Sequence, residues 1–289
     1  MRRRVKCVTS FLMSGRKRGL LDHAAQRRLT RDECEAYEND GVVYVSKVFG
    51  LGWIDFLCEA FEVALENPGG LAEEYSPVGG TGRFFTDLDI WQRIPQFHRF
   101  VFESPAAKIA AEVMGATRIN FFYDQIFIKE PGTLARTPWH QDQPYWAVSG
   151  HQICSLWLPL DPVRKESSLR FIKGSHRWPA HNPHHFLDDS PYEGTGLPEL
   201  PDIEANLEKY EIMSWDMEPG DCLIFQSMIV HGSLGNASLD HRRRALATRW
   251  CGDDARYRRQ AGEVAIPTSD PGLSDGDLLD CDLFPSITL

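Results

Sequence analysis

Residues 218–236 read "EPGDCLIFQSMIVHGSLGN". A Pro-Gly turn signal opens the stretch, an apolar run follows, and His231 closes the run ahead of a glycine turn. A short apolar run bounded by such turn residues reads as a buried β-strand rather than a helix. The same texture recurs on both sides, in "RINFFYDQIFIKEPG" (118–132), "ICSLWLPLD" (153–161), "SLRFIKGSH" (168–176) and "RRRALATRWCGDD" (242–254). Short strands separated by glycine turns predict an antiparallel sandwich or barrel after Gly115.

The chain before Gly115 reads differently. Thr30 ahead of "RDE" is a helix N-cap with acids in the first turn. "GVVYV" (41–45) is a short strand, "GWIDFLCEAFEVAL" (52–65) has helical periodicity, and "NPGG" stops it. Residues 71–95 read as irregular, and residues 96–115 as helical pieces ending at Gly115. These signals divide the chain into a basic extension over 1–29, expected to be disordered, one domain over 30–270, and a C-terminal tail over 271–289. Residues 177–213 interrupt the strand pattern and read as an insertion or lid.

Composition narrows the function classes. The net charge of −10 argues against nucleic acid as the main partner. No apolar run reaches membrane-span length. Seven scattered cysteines without ligand-like spacing fit reduced thiols and a cytoplasmic protein. The arginine-rich start leaves an organelle-targeting segment, or an extension upstream of Met13, as alternatives. Eight tryptophans and sixteen phenylalanines imply a core or pocket rich in rings.

The chemistry centres on "TPWHQDQPYW" (137–146). On a strand, alternate side chains share a face, so His140 and Asp142 would point together. Imidazole and carboxylate suit iron, manganese or zinc. The best third ligand is His231. Two histidines and one carboxylate occupy one face of an octahedral iron centre and leave three positions for a cosubstrate and dioxygen. Against this stands the plain reading of His140 in a turn, Asp142 at the surface and His231 packed in the core. The cluster His181, His184 and His185 lacks a strand-held carboxylate and reads as a solvated loop.

From about residue 36 to residue 258 the chain resembles the phytanoyl-CoA dioxygenase family of non-haem iron, 2-oxoglutarate-dependent oxygenases. The resemblance rests on the order and separation of "NDGVVYV", "KEPGTLARTPWHQD", "LWLPLD", "LRFIKGSH", "EPGDCLIFQSMIVHGSLGN" and "RRRALATRWCGDDARY". It implies a double-stranded β-helix (jelly roll, cupin-like) with flanking N-terminal helices. It also implies iron(II) on His140, Asp142 and His231, with 2-oxoglutarate and dioxygen as cosubstrates. Related halogenases lack the carboxylate ligand, so Asp142 favours hydroxylation or another oxidation. The implied reaction converts 2-oxoglutarate to succinate while oxidising a small organic molecule.

The far carboxylate of 2-oxoglutarate needs a fixed cation, and an arginine fork suits it. Counting forward from His231 points to Arg242, whereas the family's "RRAL" text points to Arg243. The two face opposite sides of a regular strand, and Arg243 is preferred if the preceding turn holds one extra residue. The resemblance matches Ser233 to a serine on the same carboxylate, Gln125 to a polar cosubstrate position, and Trp157 to an aromatic wall near iron. Each also has a structural reading, as a turn cap, a strand bridge or core. Lys129 points to substrate or solvent. Phe84, Phe85, Trp91, Tyr145 and Trp146 are pocket or core. "ESS" at Glu166–Ser168 and Lys173 depart from the family's usual turn residues. A non-catalytic binding module and a zinc hydrolase are the alternative classes. A monomer and a homodimer both fit.

Overall fold

The computed structural model describes residues 21, 24–75, 82–186 and 188–289. Of the basic extension over 1–29, residues 1–20, 22 and 23 lie outside the described residues, and its end is held on the body rather than disordered, with Gln26 N donating to Val48 O at 3.0 Å and Arg27 Nε to Ser46 O at 2.9 Å. Four helices come first, α1 Arg31–Asp40, α2 Leu51–Glu66, α3 Pro95–Glu103 and α4 Ala106–Met114. The strands are β1 Val42–Val45, β2 Glu73–Tyr75, β3 Phe84–Leu88, β4 Ile119–Lys129, β5 Thr137–His140, β6 Val148–Ser149 and β7 Ile153–Pro159. They continue with β8 Leu169–Ile172, β9 Ile212–Met213, β10 Cys222–Gln226, β11 His231–Ser233, β12 Arg243–Cys251, β13 Arg256–Tyr257 and β14 Ser286–Ile287.

Helix starts and stops follow the sequence signals. Thr30 and Glu33 form a reciprocal capping box, with Thr30 Oγ1 accepting from Glu33 N and Glu33 Oε2 accepting from Thr30 N. Gly41 ends α1 at φ 85°, and a Cβ there would strike the His176 ring, so both conformation and space require glycine. Gly115 ends α4 in the left-handed region.

The larger sheet has the order β1-β10-β7-β12-β4-β3-β2, with β14 added beside β4. The smaller has the order β5-β11-β8-β9. Every pairing in both is antiparallel. The two sheets form a double-stranded β-helix, and the helices cover the outside of the larger one. Trp53, Leu57 and Phe61 of α2 and Phe97 and Phe100 of α3 pack in one core with Ile126, Ile128, Leu156, Leu246 and Trp250 of the sheet. Phe171, Phe225, Leu169, Ala245, Ala247 and Trp157 form the core between the sheets.

Three local expectations change. Residues 71–95 are not irregular throughout: β2 and β3 form a hairpin that extends the larger sheet beside β4. The apolar content of β3 is two adjacent phenylalanines, which show no alternation, and its neighbour β4 supplies the pairing that makes it a strand. The opening stretch 218–236 is two strands rather than one. β10 belongs to the larger sheet and β11 to the smaller, and the chain crosses between them at Ser227–Val230. His231 therefore begins a strand instead of ending one. Residues 271–289, expected as a tail, return to the body. Asn120 Nδ2 donates to Phe284 O at 2.9 Å, Phe284 is buried against Phe122, and β14 pairs with β4 at Ser286–Asn120 and Ile287–Ile119.

Candidate metal and cosubstrate site

The cross-strand pairing of the smaller sheet builds the metal site. His140, the last residue of β5, is directly opposite His231, the first residue of β11. Asp142 does not reach the site by strand alternation. It follows β5 in a turn, with φ −69° and ψ −48°, and the turn carries its carboxylate back beside both rings. Asp142 Oδ1 is 3.4 Å from His140 Nε2 and 3.8 Å from His231 Nε2. One ligand atom from each residue lies within 4.8 Å of the others, and all three residues are buried.

The tautomers are set by the backbone. His140 Nδ1 donates to Pro138 O at 2.8 Å, and His231 Nδ1 donates to Ile229 O at 3.1 Å. A carbonyl only accepts, so each neutral ring keeps its Nε2 lone pair facing the centre. Burial, then the neighbouring His140, lowers the His231 pKa to about 3, so that ring is neutral at physiological pH. Burial alone would raise the Asp142 pKa. The charge of Arg249 opposes that rise and favours the carboxylate. Ser155 Oγ donates to Asp142 Oδ2 at 2.9 Å and fixes the carboxylate plane. Two lone pairs facing a carboxylate oxygen repel unless a cation sits among them. The donor set therefore fits a divalent metal, with the two-histidine, one-carboxylate chemistry of non-haem iron.

A cavity of about 440 Å³ opens from the triad. Arg243, Ser233, Gln125 and Trp157 all line it. Arg243 is 3% exposed and forms no ion pair among the described residues. Its Nη1 donates to Ser167 O, its Nε has no partner, and its guanidinium carbon is 5.8 Å from the centre of the Trp157 ring. Burial lowers its pKa to about 10, which still leaves it charged. Arg242 turns outward to Glu62 and Glu130 at 2.9 and 3.2 Å, away from the cavity. Ser233 Oγ accepts from Lys129 Nζ at 3.1 Å. Lys129 is fully buried, and burial followed by the nearby Arg243 lowers its pKa strongly. Gln125 Nε2 donates to Thr86 Oγ1 at 2.9 Å, while its Oε1 accepts from Arg249 at 3.1 Å.

The residues expected to form pocket walls divide. Tyr145 and Trp146 line the cavity, whereas Phe84, Phe85 and Trp91 are buried outside its lining. Part of the 177–213 segment closes one side. Phe186 packs edge-on to His140 with ring centres 4.8 Å apart, and Tyr192 meets Tyr145 at 5.2 Å. His184 is held between Asp189 and Glu199, and His185 lies 3.3 Å from Glu263. Sequence reasoning missed Arg249, Ser155 and Phe186. Arg249 was legible in principle, because it shares the parity of Arg243 on β12, but Ser155 and Phe186 join the site through contacts that leave no sequence spacing.

Two sheets in a β-helix, with a His-x-Asp…His facial triad at the mouth between them, define the class of non-haem iron oxygenase sites. The profile described as phytanoyl-CoA dioxygenase (PhyH) matches residues 37–245. The chain belongs to that family. It is 27% identical over 154 residues to a 1-deoxypentalenic acid 11-beta-hydroxylase from Streptomyces arenae, covering 53% of this chain and 48% of the relative. An ectoine dioxygenase from Sphingopyxis alaskensis is 22% identical over 222 residues, covering 71% and 70% respectively. Except for such longer matches, the chain spans about half the length or less of the curated relatives it matches. The fold is similar to that of the non-heme alpha ketoglutarate dependent carbocyclase SnoK from nogalamycin biosynthesis. That match has a TM-score of 0.74 at 22% identity, covering 93% of this chain and all of the other. No helix among the described residues is long and apolar enough to cross a membrane.

Proposed function

We propose that this chain is an iron(II)- and 2-oxoglutarate-dependent oxygenase that hydroxylates, or otherwise oxidises, a small organic metabolite. The carrying observation is the convergence of His140 Nε2, His231 Nε2 and Asp142 Oδ1, with both Nδ1 atoms committed to backbone carbonyls. Iron(II), when bound there, supplies the redox chemistry with dioxygen that amino-acid side chains lack. The overall reaction converts 2-oxoglutarate and dioxygen to succinate and carbon dioxide and delivers one oxygen atom to the substrate.

The protein's part is positioning. Arg243 holds the far carboxylate of 2-oxoglutarate by its unpaired fork, with Ser233 beside it, and Trp157 forms the wall along which the cosubstrate lies. Gln125 braces the cavity floor through Thr86 and Arg249. Burial of the site among Tyr145, Trp146 and Phe186 excludes water from the reacting centre. The ring-rich lining suits a small, partly apolar substrate, as do relatives named for 1-deoxypentalenic acid and ectoine. A zinc hydrolase would use the triad but would leave the buried, unpaired Arg243 without a task. The free thiols of Cys34, Cys58, Cys154, Cys222, Cys251 and Cys281 support a cytoplasmic setting. The protein acts as a monomer or homodimer with no nucleic-acid partner.

The test is conversion of 2-oxoglutarate to succinate by the Fe(II)-loaded protein, followed with a panel of small ring-bearing metabolites. Turnover that rises with a substrate and disappears in Asp142→Ala is expected. A folded protein that binds neither Mn(II) nor 2-oxoglutarate overturns the reading.

A further inference from the structure

The cavity that opens from the triad has two ends of opposite charge. Among the described residues, the only lysines or arginines that line it are Arg243 and Arg249, both buried on β12. Glu73 and Asp188 line it from elsewhere, and both are exposed. Glu73 lies on β2, three strands from β12 along the larger sheet, roughly 14 Å at the usual strand spacing. Asp188 belongs to the segment that closes the cavity. Together they mark its mouth.

Neither acid forms an ion pair among the described residues. Glu73 accepts a hydrogen bond from the Tyr75 hydroxyl, and Asp188 Oδ1 accepts from Ser190 N at 3.1 Å and Ser190 Oγ at 2.7 Å. Glu74, which alternates to the opposite face of β2, takes Arg83 at 2.8 Å. The histidines on the same wall have acids of their own. His184 lies between Asp189 and Glu199, and His185 faces Glu263.

Rings fill the space between these acids and the metal ligands. Phe186 and Tyr145 pack on His140 with ring centres 4.8 and 5.9 Å away, Tyr192 continues outward 5.2 Å from Tyr145, and Tyr75 lines the cavity beside Glu73. Carboxylates at an open mouth attract a cation and repel an anion, and aromatic faces add to the attraction. An incoming phosphate or carboxylate would meet only like charge there.

We propose that the substrate carries an aliphatic ammonium group. The ammonium docks at the mouth by Glu73 and Asp188, against Tyr75 and Tyr192, and the carbon skeleton runs inward along Tyr145 and Phe186 towards the metal. The proposal rests on the oxygenase reading and narrows its substrate class to amines, against acyl thioesters and other anions.

Calorimetry on the Mn(II)-loaded, 2-oxoglutarate-saturated protein tests it with three ligands of similar size. Tyramine carries an ammonium, tyrosol a neutral hydroxyl in its place, and 4-hydroxyphenylacetate a carboxylate. The parent binds tyramine about tenfold more tightly than tyrosol, and 4-hydroxyphenylacetate most weakly. Glu73→Gln and Asp188→Asn each cut the preference for tyramine to about threefold, and the double variant abolishes it without weakening tyrosol. Both side chains are exposed, and 2-oxoglutarate affinity within about twofold of the parent shows that each variant is folded. Tyr192→Leu weakens tyramine more than tyrosol. A parent that shows no preference for tyramine, or binds none of the three, overturns the proposal, as does a preference that survives in the double variant. A parent that binds neither Mn(II) nor 2-oxoglutarate overturns the oxygenase reading instead. The same three ligands titrated into the metal-free protein then still decide the charge of the mouth.

Discussion

The two faces of the larger sheet are made from the same strands and have opposite character. On β12, Leu246 and Trp250 point outward into the helical core, and Arg244 on that side is paired with Asp161 at 2.7 Å. Arg243, Ala245, Ala247 and Arg249 point inward. β4 and β7 repeat the division, with Ile126, Ile128, Leu156 and Leu158 outside and Gln125, Phe127, Ser155 and Trp157 inside. Most of the outer face is satisfied: its apolar groups are buried and Arg244 has an acid, and Asp124 Oδ2 on β4 is the exception that lacks a partner. On the inner face, Arg243 and Arg249 form no ion pair among the described residues. A stable scaffold on one side lets the other hold groups that are costly until a ligand arrives.

That contrast can be broken from the outside first. Leu246→Ala removes a buried outer side chain and should cost about 2–5 kcal/mol of stability by chemical denaturation. Affinity for Mn(II) and 2-oxoglutarate should stay within about twofold. A large fall in either affinity would mean that the two faces are not separable. Next comes the inner face. Arg243→Gln should weaken 2-oxoglutarate binding at least about tenfold, while Arg242→Gln, whose side chain meets Glu62 and Glu130, should leave it unchanged. The reverse result would assign the cosubstrate to the outer face.

Ser155→Ala tests the support of a ligand rather than the ligand itself. Loss of the hydrogen bond to Asp142 Oδ2 should lower metal affinity about tenfold without unfolding the protein, read by Mn(II) titration. The smallest effect belongs to the segment that closes the cavity. Burial lowers the His184 pKa, but hydrogen bonds to Glu199 and Asp189 outweigh it and raise the pKa above its ordinary value. A raised folded-state pKa contributes stability that is fully present below the unfolded value and lost as pH rises through the folded one. Hydrogen exchange over residues 181–199 should therefore quicken modestly as pH rises through that value, beyond the intrinsic rate change. Glu199→Gln should remove most of this extra pH dependence, and an unchanged profile would mean that the His184 ion pairs do not hold this segment.

Much of the site could be read in the chain because it is built from short-range rules. His140 and Asp142 are neighbours, Thr30–Glu33 is a capping box, and strand parity separates Arg242 from Arg243. The chemistry of a two-histidine, one-carboxylate site joined His231 to the pair across some ninety residues, and the family resemblance then matched all three. Other features had no local signature. Nothing in "LIFQSMIVHG" marks where the chain leaves one sheet for the other, since apolar residues suit both. Asp142 reaches the centre through a turn, although an alternating strand would have been an equally good reading.

The sequence by itself determined which groups are available: two imidazoles, one carboxylate, and arginines of known parity on an apolar strand. These follow from residue type and backbone period, which are local properties. Only the tertiary structure decided which groups share a cavity. Pairing of β5 with β11 set His140 against His231, pairing of β12 with β7 placed Arg249 beside Ser155 and Asp142, and packing of the 177–213 segment put Phe186 on His140. Those contacts depend on burial and register between distant segments, and neither has a period along the chain.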